Sequence, residues 1–354
     1  MLFANYWLLP LKTKVIDNFK FAKSNIFKQR TVSDLWIVWL RDYKNIKQWT
    51  DKRALDRRLA LGKKYVFPFV GKKQPKDIKP NDIIKCLEYC SSQTTQSAPK
   101  VLTALIQFLR WCDSRNYRNP TTRLPTDREF LEPLLSIRLN SINNHYPAID
   151  WRDVPRFVAL LVNSPARTVS AQLLLFSILT VSRGEPVRLA TWSEINFELA
   201  EWQIPALHMK GKQGNNLPHD VPLSHQALKI LDTIQNKTLF DSCDLIFSRN
   251  KRSLSSTAVR KLIRTINKKV LLNGEKGFTD PYQRNRVIVP HGFRAAFATW
   301  AQENNKNMMV VERCLAHKDP TDRHNGAYRR GVLIEQRRTL LQEWADYCFS
   351  ELQE

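Results

Sequence analysis

Leu173 to Leu179 is strongly apolar and runs into Thr180-Val-Ser-Arg183. The run is far shorter than the roughly 20 residues that cross a bilayer. It therefore reads as a helix buried in a globular core, with other elements packed round it. The arginine just beyond it is a charge aimed by a rigid element, and its simplest role is to offset the dipole at a helix C-terminus.

The chain has 354 residues, enough for two domains, and its 43% hydrophobic content excludes wholesale disorder. Its formal charge is +23, which points to a polyanionic partner, most simply nucleic acid; the alternative is a solvated basic surface. Residues 1–145 hold 27 Lys and Arg against 12 Asp and Glu, and the remainder 29 against 21. The N-terminal part thus carries most of the excess, as a segment gripping backbone phosphate should. The six cysteines are scattered, and Cys86 and Cys90 have no second pair at zinc-ligand spacing. Reduced thiols and no metal site are expected. Met1 to Leu9 is apolar but too short to span a bilayer, and it lacks a signal peptide's basic lead-in and cleavage site. The expectation is a cytoplasmic protein with no membrane contact.

Residues 1–31 read as an N-terminal arm or the remnant of one. Leu35, Trp36, Trp39, Leu40 and Tyr43 recur at helical steps, and a second helix covers Lys52 to Leu61 until Phe67-Pro-Phe-Val-Gly71 breaks it. Asn81-Asp82 caps a third helix. A fourth carries Leu102, Leu105, Ile106, Leu109 and Trp111 and ends at Asn119-Pro120. Residues 32–120 thus form a four-helix bundle whose aromatics are core. Its basic face holds Arg53, Arg57, Arg58, Lys63 and Lys64, the candidate DNA-binding residues. Residues 121–146 read as a linker.

The second domain spans 147–354. Asp150 or Asp153 starts a helix through Val154, Phe157, Val158 and Leu161. Trp192 to Ile204 alternates in β fashion, Lys210 to Asn216 is a turn, and Asp220 to Ser224 is the returning strand. Helices follow at 227–236, 256–271, 293–303 and 308–315, and a last one from about Leu333 to Phe349. The fold class is mainly α with a small antiparallel β-sheet, an α+β domain behind a helical one.

His291-Gly-Phe-Arg294, Leu315-Ala-His317 and Tyr328 supply residue types that can attack a phosphodiester with a phenol. His291 and Arg294 fall one turn apart at the start of a helix. Upstream, a β-hairpin tip presents Lys210, with Lys212 on the same turn.

This order resembles the tyrosine recombinase (phage integrase) family, and most of all integrases of the prophage and genomic-island type. The resemblance rests on Leu179-Thr-Val-Ser-Arg183 through Val187-Arg-Leu-Ala-Thr-Trp192, His208-Met-Lys210, Val221-Pro-Leu-Ser224, His291-Gly-Phe-Arg294 and Leu315-Ala-His317. It continues through Tyr328-Arg-Arg and Glu335-Gln-Arg-Arg338 to Trp344-Ala-Asp-Tyr347. It covers residues 147–350 strongly and 32–120 more loosely.

The resemblance implies a site-specific recombinase that integrates or excises a mobile element through a 3′-phosphotyrosyl intermediate. Tyr328 would be the nucleophile, and Arg183 and Arg294 would hold the non-bridging oxygens. Lys210 would protonate the departing 5′-oxygen, His291 would accept the phenolic proton, and His317 would hydrogen-bond the phosphate. No metal, ATP or other cofactor is implied. The partners implied are double-stranded DNA attachment sites and a homotetramer on two synapsed sites. Excisionase or a host DNA-bending protein would be accessory, and the setting is the prokaryotic nucleoid. The two domains would form a C-shaped clamp round duplex DNA. The terminal helix would dock on a neighbouring subunit or fold back on its own domain.

Three departures stand out. The family's acidic residue three positions after its first arginine is replaced by Pro186, with Glu185 one earlier. The His317–Tyr328 interval is about two residues longer than usual and contains His324. Little sequence precedes residue 32 for the family's arm-binding domain. Two other readings use the same chain: a topoisomerase-like nicking and resealing enzyme, and a degenerate integrase kept as a DNA-binding protein.

Overall fold

The structure, a computed structural model, describes residues 30–46, 52–94, 97–119, 124–135, 145–163, 168–209, 217–236, 241–317 and 333–352. The chain divides into two compact units, 1–143 and 144–354.

In the first unit α1 (Val32–Ile46), α2 (Lys52–Leu61), α3 (Phe67–Val70), α4 (Pro80–Gln93) and α5 (Ala98–Ser114) surround a core of Leu35, Trp36, Trp39, Leu87, Leu105 and Phe108. Trp36 meets Trp39 edge to face with ring centroids 4.8 Å apart, an arrangement the aromatic quadrupoles favour. The expected break at Phe67-Pro68 is not a break: α2 runs through one π turn, Gly62–Val66, directly into α3. The widened turn precedes Pro68, which sits in the first turn of α3, where a missing N–H costs little. Gly62 is required there, since a Cβ would stand 2.8 Å from Nε1 of Trp36.

Asp82 caps α4 from inside its first turn, accepting the Lys79 N–H at 2.9 Å. The helix α5 stops at Ser114, before Asn119-Pro120. Asn116 takes a left-handed conformation, φ 57°, a role asparagine tolerates, and the Tyr117 N–H returns to the Cys112 carbonyl at 2.9 Å. Within the expected linker, α6 (Arg128–Leu131) places Leu131 in this unit's core, with Leu124 and Leu135 packed against it.

The second unit is built round α8 (Val169–Leu179), apolar on every side and almost wholly buried. In chain order it comprises α7 (Val154–Val162), α8, α9 (Gly184–Leu189), β1 (Ile195–Asn196), β2 (Glu201–Ile204), β3 (His219–Pro222) and α10 (His225–Gln235). A hairpin of β4 (Ser248–Arg249) and β5 (Arg252–Ser253), α11 (Ser256–Leu272), β6 (Thr279–Asp280) and β7 (Arg286–Val287) follow. The last helices are α12 (Gly292–Glu303), α13 (Met308–Cys314) and α14 (Ile334–Cys348). β1, β2 and β3 form an antiparallel sheet in that order, with Trp202 opposite Val221.

The terminal helix folds back on its own unit. Leu340, Leu341, Trp344 and Cys348 of α14 are buried in the core, and the Trp344 indole donates to the Ile178 carbonyl at 3.0 Å.

Candidate active site

The chain leaves α8 through Thr180, Val181 and Ser182, with Val181 in a left-handed conformation at φ 44°. Arg183 then occupies the N-cap position of α9 without a capping side-chain bond, a place the sequence did not reveal. Its half-buried guanidinium donates from Nη2 to the Ala316 carbonyl at 3.4 Å. Burial holds it below the usual arginine range.

Arg294 lies in the first turn of α12 and is only 7% exposed. Its Nη1 donates to the Val181 carbonyl, and its Nη2 donates to the Leu315 carbonyl at 2.6 Å. Burial brings its pKa down to about 10, the Arg183 charge adds to that shift and Glu312 opposes it. It remains a cation at neutral pH. Gly292 lets the start of α12 approach the chain at 147–148: a Cβ would stand 2.7 Å from Cα of Ala148. The glycine of the His291-Gly292 pair is thus a packing requirement.

The third component is the turn after α13. Ala316 is left-handed, φ 47°, and its N–H returns to the Arg313 carbonyl at 3.1 Å. The His317 N–H returns to the Glu312 carbonyl, also at 3.1 Å. This pair of bonds is a Schellman closure. It aims the Leu315 and Ala316 carbonyls at the two arginines. It also sets His317 against Glu312, with Nδ1 2.7 Å from Oε2. Nε2 of the same ring stands 3.4 Å from Nη2 of Arg294.

Arg183 and Arg294 therefore converge on the turn Leu315–His317, which carries His317. His291 occupies the N-cap position of α12, exposed, with its ring edge-on to Tyr146 at 4.8 Å, while Arg294 one turn on is buried. Lys210, its neighbour Lys212, Tyr328 and His324 lie outside the described residues. At the departure in the first motif, Pro186 is buried and Glu185 is exposed.

The sequence did not place His219, Glu312 or Arg337 at the site, although Arg337 lies within the Glu335–Arg338 block. Arg337 of α14 is 1% exposed, and its Nη2 donates to the Asp220 carbonyl and lies 3.4 Å from Nε2 of His219 on β3. Burial, then the Arg337 charge, lower the His219 pKa to about 3, and Arg294 and Arg183 add to the shift. His219 is a neutral ring beside the arginine group. It carried no sequence signal, since the strand expected from sequence began at Asp220 and β3 begins one residue earlier. Glu312 carried no signal at all.

On the first unit, Arg57, Lys63 and Lys64 are exposed. The side chain of Arg53 is outside the described parts. Arg58 differs from the others: its guanidinium lies 5.0 Å from the Tyr43 ring centroid and 5.7 Å from that of Trp39, and it donates to Gln107 at 2.6 Å.

Fixed guanidiniums suit a phosphodiester, since each can pair with two oxygens and stabilise added charge. Comparison with known proteins agrees. Residues 148–328 match the model of the phage integrase family. Prophage integrase IntA of Escherichia coli (strain K12) is 26% identical over 335 residues, spanning 94% of this chain and 72% of that protein. The integrase of Enterobacteria phage P4 is 22% identical, over 85% and 66%. A lambda integrase (75–356) dimer bound to a COC′ core site superposes with TM-score 0.56 at 15% identity, over 82% of this chain and 97% of that one. The Tn1549 transposon integrase in complex with circular intermediate DNA gives 0.62 at 12% identity, over 88% and 99%. The structural likenesses establish the fold and the family match establishes descent: the chain belongs to the phage integrase family, the tyrosine recombinases.

Proposed function

We propose that this integrase cuts and rejoins duplex DNA at attachment sites, integrating or excising a mobile element, with Tyr328 as nucleophile. The observation that carries the reading is the convergence of Arg183 and Arg294 on the turn Leu315–His317, which carries His317. The Tyr328 phenolic oxygen bonds to the scissile phosphorus as its proton passes to His291. The P–O5′ bond breaks, and Lys210 protonates the departing oxygen. Arg183 and Arg294 hold the non-bridging oxygens as charge accumulates on them. The 3′-phosphotyrosyl bond keeps the energy of the broken linkage. A 5′-hydroxyl from a second strand can therefore reverse the step and seal the exchange.

The exposed cations Arg57, Lys63 and Lys64, joined by Arg53, are the proposed phosphate contacts of the first unit, so affinity should fall steeply with salt. The lambda integrase structures, a dimer on a core site and a tetramer on a Holliday junction, support a tetramer on two synapsed sites as the working assembly. Excisionase and host DNA-bending proteins are proposed accessory partners, and the nucleoid the place of work. Among the described residues no helix is long and apolar enough to cross a membrane.

Incubation with DNA carrying two attachment sites, in EDTA and without ATP, tests the reading. Recombinant product is expected. Relaxation of supercoils with no exchange would favour the topoisomerase-like reading. Binding without any covalent adduct would favour a degenerate integrase.

A further inference from the structure

We infer that Glu312 is a positioning residue for His317, fixing which imidazole nitrogen faces the arginine pair. The inference rests on the recombinase reading above.

The Glu312 Oε2 to His317 Nδ1 distance of 2.7 Å lies in the range of a charge-assisted hydrogen bond. A carboxylate only accepts, so the ring hydrogen must be on Nδ1. Nε2 is then the nitrogen turned to Arg294, 3.4 Å from its Nη2. Without the carboxylate the imidazole could flip or change tautomer, and either change would alter what the phosphate meets.

Local geometry enforces the pairing. Glu312 is the third residue from the end of α13 and His317 is the second residue beyond its cap, and a Schellman closure brings those two positions together. Ordinarily an apolar contact fills that place; here a carboxylate and an imidazole do. Stability gives no reason for the arrangement. The pair is 44% and 51% exposed, so its ion-pair energy is small. An acidic side chain in the last turn of a helix also opposes the dipole. Glu185, nearest in sequence to the family's usual acidic position, is exposed on α9, whereas Glu312 meets His317.

The experiment measures single-turnover cleavage of a nicked suicide duplex by the full chain, together with DNA affinity and thermal melting. Glu312→Ala should slow cleavage roughly ten-fold, within the ~10² that misplacing a reacting group can cost, with affinity and melting temperature unchanged. Glu312→Gln, whose amide oxygen can still accept from Nδ1, should recover most of the rate. In a His317→Ala background, Glu312→Ala should cause no further loss. Wild-type rates in Glu312→Ala, a Gln variant as slow as Ala, or an additive loss in the double variant would each overturn the inference. If the wild-type chain itself forms no adduct, the recombinase reading fails along with it. A normal wild-type adduct beside an unaffected Glu312→Ala removes only the role of Glu312.

Discussion

The Val181 and Ala316 carbonyls each hold one arginine of the site, Arg294 and Arg183 respectively. Val181, two residues before Arg183, accepts from Arg294; Ala316, one residue before His317, accepts from Arg183. Both are left-handed residues that close a helix without glycine, at φ 44° and 47°. Strained backbone of this kind persists only where the surroundings over-determine it. The arginine pair is thus fixed to two turns that brace one another.

Ala316→Gly tests the strain. The left-handed conformation costs alanine about 1–2 kcal/mol, whereas added unfolded-state freedom costs glycine about 0.4–1 kcal/mol. The variant should be more stable by up to about 1.6 kcal/mol in thermal unfolding, with cleavage retained. A lower melting temperature would contradict the strain.

Arg294→Lys should be inactive in cleavage yet still bind DNA. One ammonium cannot reach the Val181 and Leu315 carbonyls together and also face a phosphate. Single-turnover cleavage should fall by about 10² or more, with duplex affinity within a few-fold of wild type. Equal losses in both would make Arg294 a binding residue only.

His219 gives a pH dependence with a definite sign. The unfolded chain protonates this ring near pH 6.5 and the folded chain only near 3. Stability is therefore complete above pH 6.5 and declines as pH falls toward 3. By pH 5 this group removes about 2 kcal/mol. Chemical unfolding at pH 7 and pH 5 should show that difference in the wild type and a smaller one in His219→Asn. Equal differences would refute it.

Arg57 and Arg58 should separate cleanly. Arg58, packed on Tyr43 and Trp39 and bonded to Gln107, should destabilise the chain by about 1–2 kcal/mol when changed to Ala. Exposed Arg57 should change stability by under about 0.5 kcal/mol but weaken DNA binding and lower the salt slope by about 1. The reverse pattern would move the DNA-binding face elsewhere.

Elements with strong periodicity were legible in the sequence. The apolar run of α8, the tryptophan stripe of α1 and the β2–β3 pair lie close to where their spacing put them. Helix ends were less legible. Pro68 looked like a terminator but falls where its missing N–H is harmless, and Asn116, not Asn119-Pro120, follows the end of α5. The site shows the same limit. Arg183, Arg294 and His317 stood out by order. Glu312 did not, because its meeting with His317 depends on a helix closure normally announced by glycine, and alanine occupies that position. Arg337 stood inside the quoted Glu335–Arg338 block, but its meeting with His219 was invisible for a related reason: a short strand and a helix bring the two together across 118 positions.

The most direct test of phenolic attack is the covalent adduct itself. Wild-type chain, incubated with a nicked suicide duplex bearing the attachment sequence, should trap DNA through a 3′-phosphate. Peptide mass spectrometry should place that link on Tyr328, and Tyr328→Phe should trap none. DNA attached to any other residue, or an undiminished adduct in Tyr328→Phe, would contradict the account.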